Sequence, residues 1–146
     1  MLMMGIVATA AISLTIRAFT DTATITNRRD VFDEGRLALD QLTKQLRQGE
    51  SVDGSSTASQ VTFSSYVDGT ATDLEWRVTG SSAPYTLEQS RDGGTTYLPM
   101  VDVLTSSDLF TYTSHDGVID QITVTLSLET TTSEVEISSD VELRNA

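Results

Sequence analysis

The chain has no cysteine. Disulfides, thiolate zinc sites and thiol nucleophiles are excluded with it, and the fold must stand on packing alone. Histidine is almost as scarce. His115 is the only one, and it sits beside Asp116-Gly117, a turn signal, so a surface turn residue is expected rather than a general base. Without a second histidine or an oriented acid, no Ser or Thr has the partners a nucleophile needs. Positive charge is short too. Nine Lys and Arg stand against 21 Asp and Glu, for a net charge of -12 and a pI near 4.2. Such a surface repels phosphate backbones, so no nucleic-acid contact is expected. The acids form no long run and read as a solvated surface. Lys44 is the only lysine. The phosphate-loop, dinucleotide and zinc-protease motifs are all missing. The acidic stretches RDGGTTY and SHDGVID do not have the spacing of a twelve-residue calcium loop and read as hairpin turns. No enzyme, cofactor, metal site or small-molecule substrate is expected.

What is present begins at the N-terminus. Met1 to Ile16 carries no charged residue. A membrane helix needs about 20 apolar residues, and this run falls short. A secretory signal would carry a basic region before the apolar one, and Ala8-Thr9-Ala10 leaves too little apolar sequence ahead of a cut. The preferred reading is an atypical membrane anchor. A signal peptide and a helix buried in its own domain are the alternatives. Arg17 to Asn27 is a Thr-rich joint in which Asp21 or Asn27 caps a restarted helix.

Arg28 to Gln48 holds the clearest periodicity. Phe32, Gly35, Leu39, Leu42 and Leu46 recur at intervals of three and four, with Val31 and Ala38 beside them. That is one apolar stripe on a helix, expected to pack on a sheet of the same domain. Gly35 interrupts it at a cost of about 1 kcal/mol against Ala, a cost that close approach of a strand explains. Arg36 with Asp40, and Asp40 with Lys44, are opposite charges one turn apart. Gly49 is the expected stop.

Beyond it the period changes to two. Glu50 to Ser59 reads as a polar loop. Strands are expected over Gln60–Val67, Asp73–Thr79, Tyr85–Ser90, Leu109–Ser114, Ile119–Leu128 and Glu134–Leu143, punctuated by Asp-Gly and Gly-Gly turns. Thr95–Leu104 is mixed, and Pro99 confines it to an edge or to no strand. Ile122, Val124, Leu126 and Leu128 share one face, as do Val135, Ile137, Val141 and Leu143. One wet and one buried face means an antiparallel sheet. Trp76 falls with Leu74 and Val78 toward the core, while Tyr66 falls on the opposite face from Val61 and Phe63. The expected fold is α+β. Residues 1–26 form a hydrophobic N-terminal helix, 27–49 its amphipathic continuation, and 50–146 an antiparallel β-rich domain.

This order resembles the type IV pilin and pseudopilin superfamily, nearest its minor members, the PilW-like and J-type group. MMGIVATAAISL, with Gly5, is similar to the middle of that family's N-terminal segment. RLALDQLTKQLRQGE is similar to the base of its helix. Leu74-Glu75-Trp76-Arg77-Val78, LFTYTSHDG and VELRNA resemble its strand signatures. The family's basic leader, cleavage glycine, Phe-Thr-Leu and buried glutamate have no counterpart in the sequence. The resemblance therefore implies a leader upstream of Met1, and an apolar run restored to about 25 residues, long enough to span a bilayer. It implies a pilin-like fold and a structural role in a pilus or secretion filament. The implied location is single-pass in the cytoplasmic membrane with the β-domain outside, then the filament. Implied partners are other subunits, and lipid before assembly. Leu2, Ile6, Val7, Ile12, Leu14, Ile16 and Phe19 would pack in membrane and filament. Val31, Phe32, Leu39, Leu42 and Leu46 would pack helix on sheet. A membrane-anchored or secreted binding or adhesion module is the alternative. It would bind a ligand through the part from Asn27 onward alone.

Overall fold

A computed structural model describes residues 26–67, 69–130 and 133–143. The fold is α+β: among the described residues, one helix, α1 (residues 26–48), is followed by an antiparallel sheet of eight strands. In chain order these are β1 (Gly49–Val52), β2 (Gln60–Val67), β3 (Thr70–Thr79), β4 (Tyr85–Ser90), β5 (Leu98–Leu104), β6 (Phe110–His115), β7 (Val118–Glu129) and β8 (Glu134–Glu142). Among the described residues no helix is long and apolar enough to cross a membrane.

Strands β1 to β5 follow one another across the sheet, each antiparallel to the last. The remaining pairings converge on β7. β8 pairs it over Gln121 to Glu129, and β6 pairs it over Val118 to Val124. The two registers overlap, so β6 and β8 take opposite sides of β7. Leu104 pairs Leu128, which places the end of β5 on the β6 side, just beyond β6. The hydrogen bond from the Thr125 amide to the Leu109 carbonyl closes the step between them at 2.9 Å.

Alternation sets which face is buried. Ile122, Val124, Leu126 and Leu128 of β7 are all buried, joined by Val61 and Phe63, Leu74 and Trp76, Leu87, Val101 and Leu104 from the neighbouring strands. Each such side chain contributes about 1.5–3 kcal/mol by leaving water. Helix α1 lies on this face. Tight turns hold the hairpins: His115 pairs Val118, and the two residues between them, Asp116 and Gly117, both have positive φ (52° and 83°), as a two-residue hairpin turn requires.

Local expectations differ from the structure at residues 49–52, Pro99 and Asn27. Residues 49–52 are edge strand β1 rather than the start of a loop, because their backbone pairs with Phe63, Ser64 and Ser65 of β2. Gly49 follows the last helical turn but has no left-handed φ. Its lack of a side chain serves packing instead, since a Cβ would lie 3.1 Å from both the Leu46 carbonyl oxygen and Phe63 Cδ2. Leu98–Leu104 is a strand lying between β4 and β7, despite Pro99. Pro99 pairs only Glu88 of β4, and β7 meets this strand only at Leu104, so the missing N–H faces no neighbour there. Asn27 lies inside α1, so it does not cap it.

Tyr112 of β6 closes one end of the core. Its hydroxyl shares its hydrogen between the carbonyls of Thr57, in the β1–β2 connection, and Gln60, at the start of β2, at 2.9 and 3.0 Å. Burial pushes its phenol up to about 12. The sign is that of an acid kept neutral by folding. Its contribution is complete below the ordinary tyrosine value near 10 and is lost as pH rises through 12. An ultraviolet titration is expected to show a phenol ionising near 12 that Tyr112→Phe removes. A curve unchanged by that substitution would refute the assignment.

Candidate functional site

The seam between α1 and the sheet is where the described residues with a predicted role come together. Val31, Ala38, Leu39, Leu42 and Leu46 are buried in the common core. Phe32 is only partly buried. With Arg28, Arg29 and Val135 it lines a shallow depression of about 410 Å³ at the start of the helix. Leu2, Ile6, Val7, Ile12, Leu14, Ile16 and Phe19 lie outside the described residues, as does the end of VELRNA.

At Gly35 helix and sheet come close together. A Cβ there would stand 2.4 Å from Leu128 Cδ1 and 3.3 Å from Ile137 Cδ1, so β7 and β8 come up against bare helix backbone. Thr43 is buried and turns its hydroxyl back to the Leu39 and Asp40 carbonyls. Farther along, the seam becomes polar. The Trp76 indole N–H donates to Gln45 Oε1 at 2.9 Å, and the Gln89 side-chain amide donates to the same oxygen at 2.8 Å. Gln41 in turn donates to Gln89 Oε1 at 2.9 Å. An indole can only donate, so Trp76 fixes which way Gln45 points. Gln45 then fixes Gln89, and Gln89 fixes Gln41. Gln89 is 2% exposed, and this chain of bonds offsets the cost of burying its amide.

The opposite face of α1 is wet. Arg28, Arg29, Asp33, Glu34, Arg36, Leu37, Asp40, Lys44 and Arg47 are exposed. The expected pairs of Asp40 with Arg36 and Lys44 do not form. Among the described residues the one Arg or Lys ion pair is Arg77–Glu88 at 3.0 Å; the exposed His115 ring stands 3.9 Å from Asp116. One-turn pairs on an exposed helix gain only about 0.3–0.5 kcal/mol, too little to order two long side chains. Burial, and then the Asp102 carboxylate of β5, raises the Glu34 carboxyl above its usual range.

Away from the seam, the RDGGTTY loop is occupied by its own groups, whereas in SHDGVID Asp116 is exposed and Asp120 Oδ1 is buried without a hydrogen-bond partner among the described residues. Asp92 accepts from the Ser90 hydroxyl and from the Thr95 and Thr96 amides, which hold its carboxyl well below the usual range. Beside it, Arg77 stacks 3.3 Å over the Tyr97 ring, whose hydroxyl donates to Glu75. Among the described residues no three acidic or histidine groups gather as metal ligands. Trp76 is buried and Tyr66 is 56% exposed.

The sequence does not mark the glutamines as a group. The available signal was positional. Gln41, Gln45 and Gln48 follow the helical period beside the apolar stripe, and Gln89 holds an inward position two residues after Leu87 in β4.

No family model, curated protein or solved structure matches the chain.

Proposed function

We propose that the chain is a structural subunit of a filament of the type IV pilus or type II secretion kind, a minor pilin or pseudopilin. One observation carries this reading. Helix α1 uses a single stripe to hold its own sheet, and the sequence entering it from Met1 to Ile16 has no charge. An apolar segment of that kind needs lipid or apolar neighbours. In this reading the N-terminal segment is a single-pass anchor in the cytoplasmic membrane and the sheet stands outside. The segment then moves from lipid into a bundle of equivalent helices, where close packing replaces contact with acyl chains. Other subunits are the partners. The alternating polar residues of β7 and β8 leave one sheet face wet, as suits a domain that stands outside the membrane.

The test is photo-crosslinking in cells from a benzoyl-phenylalanine placed at Leu14. Adducts between subunits support the reading, and adducts confined to the chain's own sheet refute it. A membrane-anchored or secreted binding module is the second reading, and a polar cavity lined by Gln41, Lys44, Gln45, Gln48 and Arg91 at the C-terminal end of α1 favours it.

A further inference from the structure

At the C-terminal end of α1 the inner face of the sheet changes character. The inward positions run Val61, Phe63, Ser65 along β2, then Trp76, Leu74, Thr72 along β3, and Leu87, Gln89, Arg91 along and just past β4. All three series turn polar toward the same end. Helix α1 does not fill that end, and a cavity of about 360 Å³ remains. Gln41, Lys44, Gln45 and Gln48 form its helix side and Arg91 stands opposite, over a floor of Ser65 and Leu74, with Tyr66 at the border.

No carboxylate lines this cavity. That is notable in a chain of net charge -12, where Arg77 and Arg91 are the only arginines or lysines from Gly49 to Leu143. Arg77 is already held by Glu88. Lys44 and Arg91 make no ion pair among the described residues. The amides add to this bias. Gln45 Oε1 already accepts from Trp76 and Gln89, and Gln89 Oε1 accepts from Gln41 and, at 3.4 Å, from Arg91 Nε. Ser65 spends its hydrogen on the Gln48 carbonyl. What remains unused is mainly N–H: the Gln45 side-chain nitrogen, the outer guanidinium nitrogens of Arg91 and the Lys44 ammonium.

We propose that this cavity binds the carboxylate of an acidic sugar. The Arg91 fork and the Lys44 ammonium take the carboxylate. The Gln45 amide nitrogen donates to a ring hydroxyl, and the sugar lies over the floor of Ser65 and Leu74. The volume fits one such ring, being near the lower end for small-molecule sites. The acidic surface opposes an anion at long range. At physiological salt that opposition fades within about 8 Å, while the two cations act in direct contact. The inference is independent of the filament reading, since it needs only the end of α1 and strands β2 to β4.

The test is titration of the full chain in detergent solution with galacturonate, followed by two-dimensional amide NMR. Trp76 is the only tryptophan, so its indole N–H is a single signal one bond from Gln45. Saturable shifts of that signal and of the Gln45 side-chain amide are expected. Arg91→Gln and Lys44→Gln are each expected to weaken binding about tenfold, the size of one charge-assisted hydrogen bond. Both replace exposed side chains, and an unchanged wild-type spectrum in the absence of sugar verifies that each variant is folded. Galactose, which lacks the carboxylate, is expected to produce no saturable shift. The proposal is overturned if galacturonate gives no saturation, if galactose saturates the same signals, or if both variants bind as the wild type does.

Discussion

Leu42→Ala is expected to lower the free energy of unfolding by about 2–5 kcal/mol, measured by urea denaturation of the full chain in detergent. Leu42 has no exposed surface and sits midway along the stripe that holds α1 to the sheet. Truncation removes its transfer energy and leaves a cavity that helix and sheet close only in part. Leu37, five residues earlier on the same helix, is 68% exposed, and Leu37→Ala is expected to change stability by less than about 0.5 kcal/mol. Total stabilities are about 5–15 kcal/mol, so the first substitution removes a large share and the second almost none. Equal effects at the two positions would mean that α1 is not seated on the sheet by this stripe.

The second large effect concerns Gly35. Gly35→Val is expected to cost about 2–3 kcal/mol, because branched carbons enter space already held by Leu128 and Ile137. Gly35→Ala is expected to be nearly neutral. Its methyl displaces the end of one flexible side chain, while the helix gains about 1 kcal/mol from losing a glycine. The decisive comparison is a double-mutant cycle with Leu128→Ala. Removing the Leu128 methyls should make Gly35→Val far less costly than it is alone, a coupling of about 1–2 kcal/mol. Strictly additive effects would place the contact elsewhere.

These two positions also show what the sequence disclosed. The stripe of Val31, Leu39, Leu42 and Leu46 is visible as a period, and those residues are buried. Gly35 announced a close approach but not its partner, since the pairing of helix positions with strands more than 90 residues away is set by topology. The bounds of β2 and β4 follow from alternation between turn residues, and the structure has them at Gln60–Val67 and Tyr85–Ser90. β1 was not legible. A polar four-residue segment has no period to read, and it is a strand only because β2 offers a free edge. The rule for Pro99 holds locally, but composition could not show that a strand may have neighbours on both sides without both reaching the proline. Phe32 was assigned to the seam by its spacing, yet it lies at the rim beside Val135, where the sheet no longer covers it. The glutamine chain was hidden for a different reason. An amide at an inward position reads as a fault until the Trp76 indole and the facing helix supply its partners. The residues proposed to meet lipid and neighbouring subunits, Leu2 to Phe19, are legible only as apolar sequence.

The most direct measurement places a benzoyl-phenylalanine at Leu14 in one strain and at Leu42 in another, irradiates intact cells and maps the adducts by mass spectrometry. If the N-terminal segment belongs to its neighbours and the base of α1 to its own sheet, Leu14 yields dimers and higher species, and Leu42 yields only intramolecular links to β2, β3 or β7. Links from Leu14 to the core strands of the same polypeptide, with no species above monomer mass, would contradict the filament account.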